Sequence, residues 1–421
     1  MQTPIRNNIV LFVCVILCFL TTFLNFLNAN QIKVGSQCSI SSVKQAIIAA
    51  KKWDTIIIQN GNYKERNIVV NKPLTIIGEN FPVIDGENNG QIFLIKADSV
   101  TIKGLQIQNV GTSYVEDRAG IRVSIAKNCL IENNKLFNTF FGIYLAKSEN
   151  CIIRGNEVTG IAKNETEAGN AIHLWYCKKM LVENNHVTGH RDGIYFEFVT
   201  ESKIFNNIST KQIRYGMHFM FSHSNEYFHN RFTDNDAGVA VMYSSHIYMH
   251  ENIFADNWST VSNGILLKEI SDSRIEENIF EHNTIGVYAE GCARLEIKHN
   301  NFTKNGWAVK IMGDCEDNRF DENNFTANTF DVVTNSSLSH NLFEKNFWSE
   351  YTGYDLDKNG VGDVPFRPVK LFTYIVENIP PAIILLRSLF IDLLNLAEKV
   401  TPVITPETLT DNMPMMKEIK W

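Results

Sequence analysis

Asn134-Lys135-Leu136-Phe137, Gly142-Ile143-Tyr144-Leu145 and Cys151-Ile152-Ile153 are three short apolar runs that follow one another closely, parted by corner-forming Asn and Gly. Residues of the first kind favour extended chain, while Asn and Gly accept the left-handed backbone of a tight corner. The triplet then repeats. Asparagines recur at 134, 156, 185, 207, 230, 252, 278, 300, 323 and 346, in steps of 22, 29, 22, 23, 22, 26, 22, 23 and 23. An independent series, Gly142, Ala171, Gly193, Gly216, Gly238, Gly264, Gly286 and Ala308, lengthens at the same places. Two series with shared insertions define one coil of about 22 residues, the signature of a stacked-coil solenoid. The expected fold is all-β, a parallel β-helix over residues 31–350, with equivalent positions of successive coils about 4.8 Å apart. Corner asparagines bonded up and down the stack account for their own abundance.

Working outward, residues 41–52 read as an amphipathic helix, with Val43, Ala46, Ile47 and Ala50 on one face, placed to cap the open N-terminal end. The insertions at 161–169 and 255–263 are loops on one edge. After Trp348 the repeat stops. Residues 351–365 form an acidic Gly/Asp loop, and residues 366–421 an amphipathic helical segment with a polar tail, either docking on a partner or membrane surface or capping the solenoid. Residues 1–30 carry Arg6 and an apolar run, as in a secretory signal; cleavage near Ala29 and retention as an anchor both fit. The chain of 421 residues, 44% hydrophobic and 20% charged, can bury a large core, and its net charge of −7 argues against nucleic-acid binding. The cysteines stack as Cys129 over Cys151 and Cys292 over Cys315, a spacing that suits small core fillers better than a disulfide framework.

Strand alternation locates the chemistry. One and three residues after each Gly or Ala of the series lie apolar, inward positions such as Ile143, Leu145, Met217 and Phe219. Positions two and four after it therefore face out. They form two columns: Tyr144, His173, Tyr195, His218, Ala240 and Leu266, and beside it Ala146, Trp175, Glu197, Met220, Met242 and Lys268. Imidazole and thioether donors together suit Cu(I). The copper candidates are His173, His218, Met220 and Met242, with His223 and His246 at the ends of the same strands. Asp355, Asp357, Asn359 and Asp363, with Gly360, match the opening of an EF-hand loop, although Phe366 stands where the bidentate Glu belongs, and make a possible calcium site. A carbohydrate-active enzyme is the rival reading, with His190-Arg191-Asp192 and Glu197 as its reactive groups; the methionines and aromatics around Glu197 speak against it. A structural adaptor of a transporter is a third.

Gly216-Met217-His218-Phe219-Met220-Phe221-Ser222, then Gly238-Val239-Ala240-Val241-Met242-Tyr243-Ser244, then Gly264-Ile265-Leu266-Leu267-Lys268-Glu269, resemble the NosD family of nitrous oxide reductase maturation proteins. The resemblance runs from the cap helix through the Tyr354–Pro365 stretch. It implies a right-handed β-helix, exported to the periplasm and held at the inner membrane through partners. It also implies a non-enzymatic role in supplying copper, as Cu(I), to apo nitrous oxide reductase, together with an ABC transporter permease and ATPase and a copper donor protein. Ala240 in the first column means that any site leans on neighbouring coils.

Overall fold

The structure is a computed structural model that describes residues 30–113, 115–260, 262–336, 340–400 and 409–421; the signal segment read at residues 1–30 lies almost wholly outside them. Three parallel sheets of 14, 13 and 12 strands wind about one axis, in a right-handed parallel β-helix of about 14 turns. Each coil gives one strand to each sheet. Leu130–Glu132 belongs to the first, Lys135–Phe137 to the second and Phe141–Ala146 to the third. Ile131 pairs with Ile102 and Ile153, Leu136 with Ile107 and Val158, and Ile143 with Ile121 and Ile172. The inward position of every strand is thereby an apolar column, and these columns are the core. On the second sheet Phe232, Phe254, Phe280, Phe302, Phe325 and Trp348 stack ring on ring, with centroids 4.2 to 5.5 Å apart. Each buried ring contributes roughly 1.5–3 kcal/mol of apolar transfer.

The asparagine series is a buried hydrogen-bonded ladder. Asn252 shows the unit: its Oδ1 accepts from Asn230 N and Nδ2 at 3.0 Å each, and its Nδ2 donates to Tyr227 O and to Asn278 Oδ1, both at 3.0 Å. A second ladder runs through His190, Gln212, Asn235, Asn257, Asn283, Asn305 and Asn328. The glycine series has a different cause. A Cβ on Gly216 would lie 2.6 Å from Gly238 O, and one on Gly238 2.4 Å from Gly264 O, because successive backbones approach closely there.

Helix α1 (Val43–Ala49) covers the first coil, burying Val43, Ala46 and Ile47. Its first N–H groups are capped from the coil below, where Glu65 accepts from Val43 N at 2.7 Å and Lys44 N at 2.9 Å. The helix is shorter than residues 41–52 because Asp54 Oδ2 accepts from Lys51 N and turns the chain. At the other end the segment packs on the solenoid itself. Helix α2 (Leu371–Asn378), a 3-10 turn (Pro380–Leu385) and helix α3 (Leu389–Val400) lie on the outer face of the third sheet, where Phe372, Val376 and Ile391 pack on Phe330 and Val333. Lys310 Nζ bonds Glu377 at 2.7 Å. The tail then returns to the open end, and Asp411 Oδ2 accepts from Asn346 N, Asn346 Nδ2 and Trp348 Nε1, at 3.0, 3.2 and 3.0 Å. A carboxylate thus stands where the next asparagine of the ladder belongs. No helix among the described residues is long and apolar enough to cross a membrane.

Candidate metal centre

The two outward columns exist in the register that the Gly spacing predicts. Tyr144, His173, Tyr195, His218, Ala240 and Leu266 are successive partners on the third sheet, as are Ala146, Trp175, Glu197, Met220, Met242 and Lys268. The first column, however, is not open surface. His173 is 9% and His218 4% exposed. Residues just before the glycines fold over the column: Asn170 beside His173, and Arg214 and Tyr215 beside His218. The repetition of Arg at 191 and 214, each two residues before a Gly of the series, is the signal that could have revealed this cover.

The two histidines differ in what they bond. His173 Nδ1 is 3.0 Å from Asn170 Nδ2, which donates to it, and Arg191 in turn donates to Asn170 Oδ1 at 3.2 Å. Burial lowers the His173 imidazole to about 3. His218 packs against Tyr195 and Tyr215, with centroids 4.9 and 4.8 Å away, yet neither ring nitrogen has a hydrogen-bond partner among the described residues. Leaving a buried polar group unbonded costs about 1–3 kcal/mol. Burial lowers its pKa, with nearby Asp192 opposing. Tyr195 separates the two histidines by two strand spacings, about 10 Å, too far to share one ion.

Met220 and Met242 are direct register partners two residues beyond His218 and Ala240, both half-buried. Strand alternation puts these two side chains on the same face of the sheet as His218. His223 and His246 are exposed and lie past the next corner, where both bond Ser245 Oγ, at 3.0 and 3.1 Å. Along that corner runs a feature missed in the sequence, a stack of Tyr176, Phe198, Phe221 and Tyr243 with centroids 4.4, 5.2 and 5.0 Å apart. All four have φ near +50°, where a bulky side chain costs roughly 1 kcal/mol. Each directly follows a member of the methionine column.

The remaining candidates are engaged elsewhere. His190 is a ladder residue, its ring on Thr139 and Thr188 O, whereas Asp192 is buried against Arg214, so the two do not form an open acid-base site. In the acidic loop, Asp355 accepts from Asn359 N and Gly360 N, Asp357 from Asn359 N, and Asp363 from Leu356 N, with Gly360 at φ +88°. Its carboxylates organise a turn. Cys129, Cys151, Cys177, Cys292 and Cys315 are free and buried. Among the described residues no three His, Cys, Asp or Glu side chains are grouped to hold a metal.

Residues 52–166 and 160–356 match the family model described as "Periplasmic copper-binding protein (NosD)". Two relatives, from Pseudomonas aeruginosa and Stutzerimonas stutzeri, are each named "Probable ABC transporter binding protein NosD". They are 28% and 26% identical over 83% and 85% of this chain and 86% and 85% of their own length. Among solved structures the chain is similar to the Dettilon tailspike protein, with TM-score 0.59 and 14% identity over 73% of this chain and 69% of that one. It is also similar to a family 28 exopolygalacturonase of Yersinia enterocolitica, with TM-score 0.56 and 11% identity over 75% and 78%. At such identities these likenesses show the β-helix alone. The chain belongs to the NosD family, whose model carries the description of a periplasmic copper-binding protein.

Proposed function

We propose that the protein is an exported, non-enzymatic copper carrier that helps to assemble the copper centre of nitrous oxide reductase in concert with an ABC transporter. The observation that carries this reading is the buried imidazole of His218, whose ring nitrogens make no hydrogen bond among the described residues, beside the register-paired Met220 and Met242. One imidazole and two thioethers suit Cu(I) as cargo, and a set of three leaves room for a recipient's ligands to displace them one by one. The half-buried methionines are the accessible end of the site and His218 its inner end. The family description and the names of the two relatives support copper binding and a transporter partner.

Contact with the membrane permease falls to the C-terminal helices. Their outer side exposes Ile379, Ile384, Leu389, Phe390, Leu393 and Leu396, an apolar surface on an otherwise charged protein. Copper titration of the purified protein, with a chromogenic Cu(I) chelator as competitor, tests the central claim. The His218→Ala/Met220→Ala/Met242→Ala variant is expected to lose high-affinity Cu(I) binding; equal stoichiometry and affinity would sink the assignment.

A further inference from the structure

Asp192 opens the strand Asp192–Glu197 and is wholly buried. Arg214 grips it with two bonds, Nε to Oδ1 at 2.9 Å and Nη2 to Oδ2 at 2.6 Å, and Arg191 Nε stands 3.8 Å from the same Oδ2. Oδ2 is also 3.8 Å from His218 Nδ1. A carboxylate has about four lone-pair positions, and Arg214 occupies two. A shift of about 1 Å brings Nδ1–H within hydrogen-bonding distance. Among the described residues Asp192 is the carboxylate paired with the ring, and Tyr195 and Tyr215 pack against it.

We infer that Asp192, held in place by Arg214, is the positioning residue for His218: it takes the Nδ1–H, fixes that tautomer and leaves Nε2 with its lone pair as the donor to Cu(I). This rests on the copper reading given above. The residue does not touch the metal. Its effect is that of a carboxylate behind a metal-ligating histidine, which orients the ring and raises its basicity. His173 supplies an internal contrast, because Asn170 Nδ2 donates to its Nδ1 and so places the proton on Nε2. Two histidines of one column are thus set to opposite tautomers by their neighbours.

The test begins with the apoprotein. Histidine-ring nitrogen NMR on protein labelled with 15N-histidine, assigned with His218→Gln and His173→Gln, is expected to show Nδ1–H for His218 and Nε2–H for His173. An Nε2–H form of His218 overturns the inference whatever copper does. The second arm replaces the charged pair as a unit, Asp192→Leu/Arg214→Met, so that no lone buried charge remains. Copper stoichiometry should be unchanged and Cu(I) affinity about 10–100-fold weaker. Asp192→Asn, which keeps an acceptor, should recover most of the loss. Unchanged affinity in the double variant overturns the positioning role, while the copper reading itself stands or falls on the His218/Met220/Met242 variant. Should the double variant fail to fold, the wild-type tautomer decides.

Discussion

Two columns of this solenoid hold buried polar residues in opposite conditions. In the asparagine ladder every donor and acceptor of Asn252 is used. In the outer column of the third sheet His218 is also buried, and its ring makes no hydrogen bond among the described residues. The ladder asparagines, repeated for structure, are satisfied, whereas the unbonded ring of His218 is a candidate for work on a ligand. The contrast separates the asparagines, abundant and structural, from a single histidine whose cost needs a reason.

Acid should strike both stacks and have the largest effect. His190 of the second ladder and His173 of the outer column are lowered by burial to about 4 and about 3, from an ordinary value near 6.5. Between those values the unfolded chain binds protons that the folded one refuses, so stability rises with pH through the window and is flat above it. Each histidine accounts for on the order of 3 kcal/mol at pH 4. Asp331, pushed up by burial to about 6, acts in the opposite direction and offsets about 2 kcal/mol of their sum. Denaturant titrations from pH 7 to 4 should therefore show a net loss of about 4 kcal/mol; a flat profile would refute the neutral, buried state of these rings.

Asn252→Ala tests the ladder alone. It strands Asn230 N and Nδ2 and the Tyr227 carbonyl, and should cost about 2–3 kcal/mol by denaturant unfolding while Cu(I) affinity is unchanged. His218→Leu tests the other side and carries the opposite sign. Removing a buried ring whose Nε2 has no protein partner should stabilise the fold by about 1 kcal/mol and abolish tight Cu(I) binding; a destabilised variant with intact binding would erase the contrast. The smallest effect belongs to the aromatic corner. Phe221→Asn relieves the left-handed backbone and loses the stacking on Phe198 and Tyr243. The terms nearly cancel, so thermal unfolding should move by only a few tenths of a kcal/mol.

The repeat and its register were legible because strand alternation and coil spacing are local, and eight glycine or alanine positions suffice to line up His173, Tyr195 and His218. What covers that column was not legible. A period-two argument says which way a side chain points and is silent about Arg214 and Tyr215 leaning over it from the corner before. Exposure was therefore overestimated for His173 and His218, and Asp192 was read as part of a rival acid-base site when its carboxylate is clamped by Arg214. The role of Asp411 was equally hidden, since its ladder neighbour Asn346 lies 65 residues upstream and nothing in the tail repeats the coil.

That distance has a consequence for how the molecule is finished. The last rung of the asparagine ladder is closed by a residue from beyond the C-terminal helices. Those helices are consequently a tethered detour, anchored at one end by the final coil and at the other by its stopper. Chain elongation completes thirteen-odd turns before it supplies the plug. Until Asp411 arrives, Asn346 and the Trp348 indole are donors in search of an acceptor, and the sheet edges beside them remain open to the wrong partner.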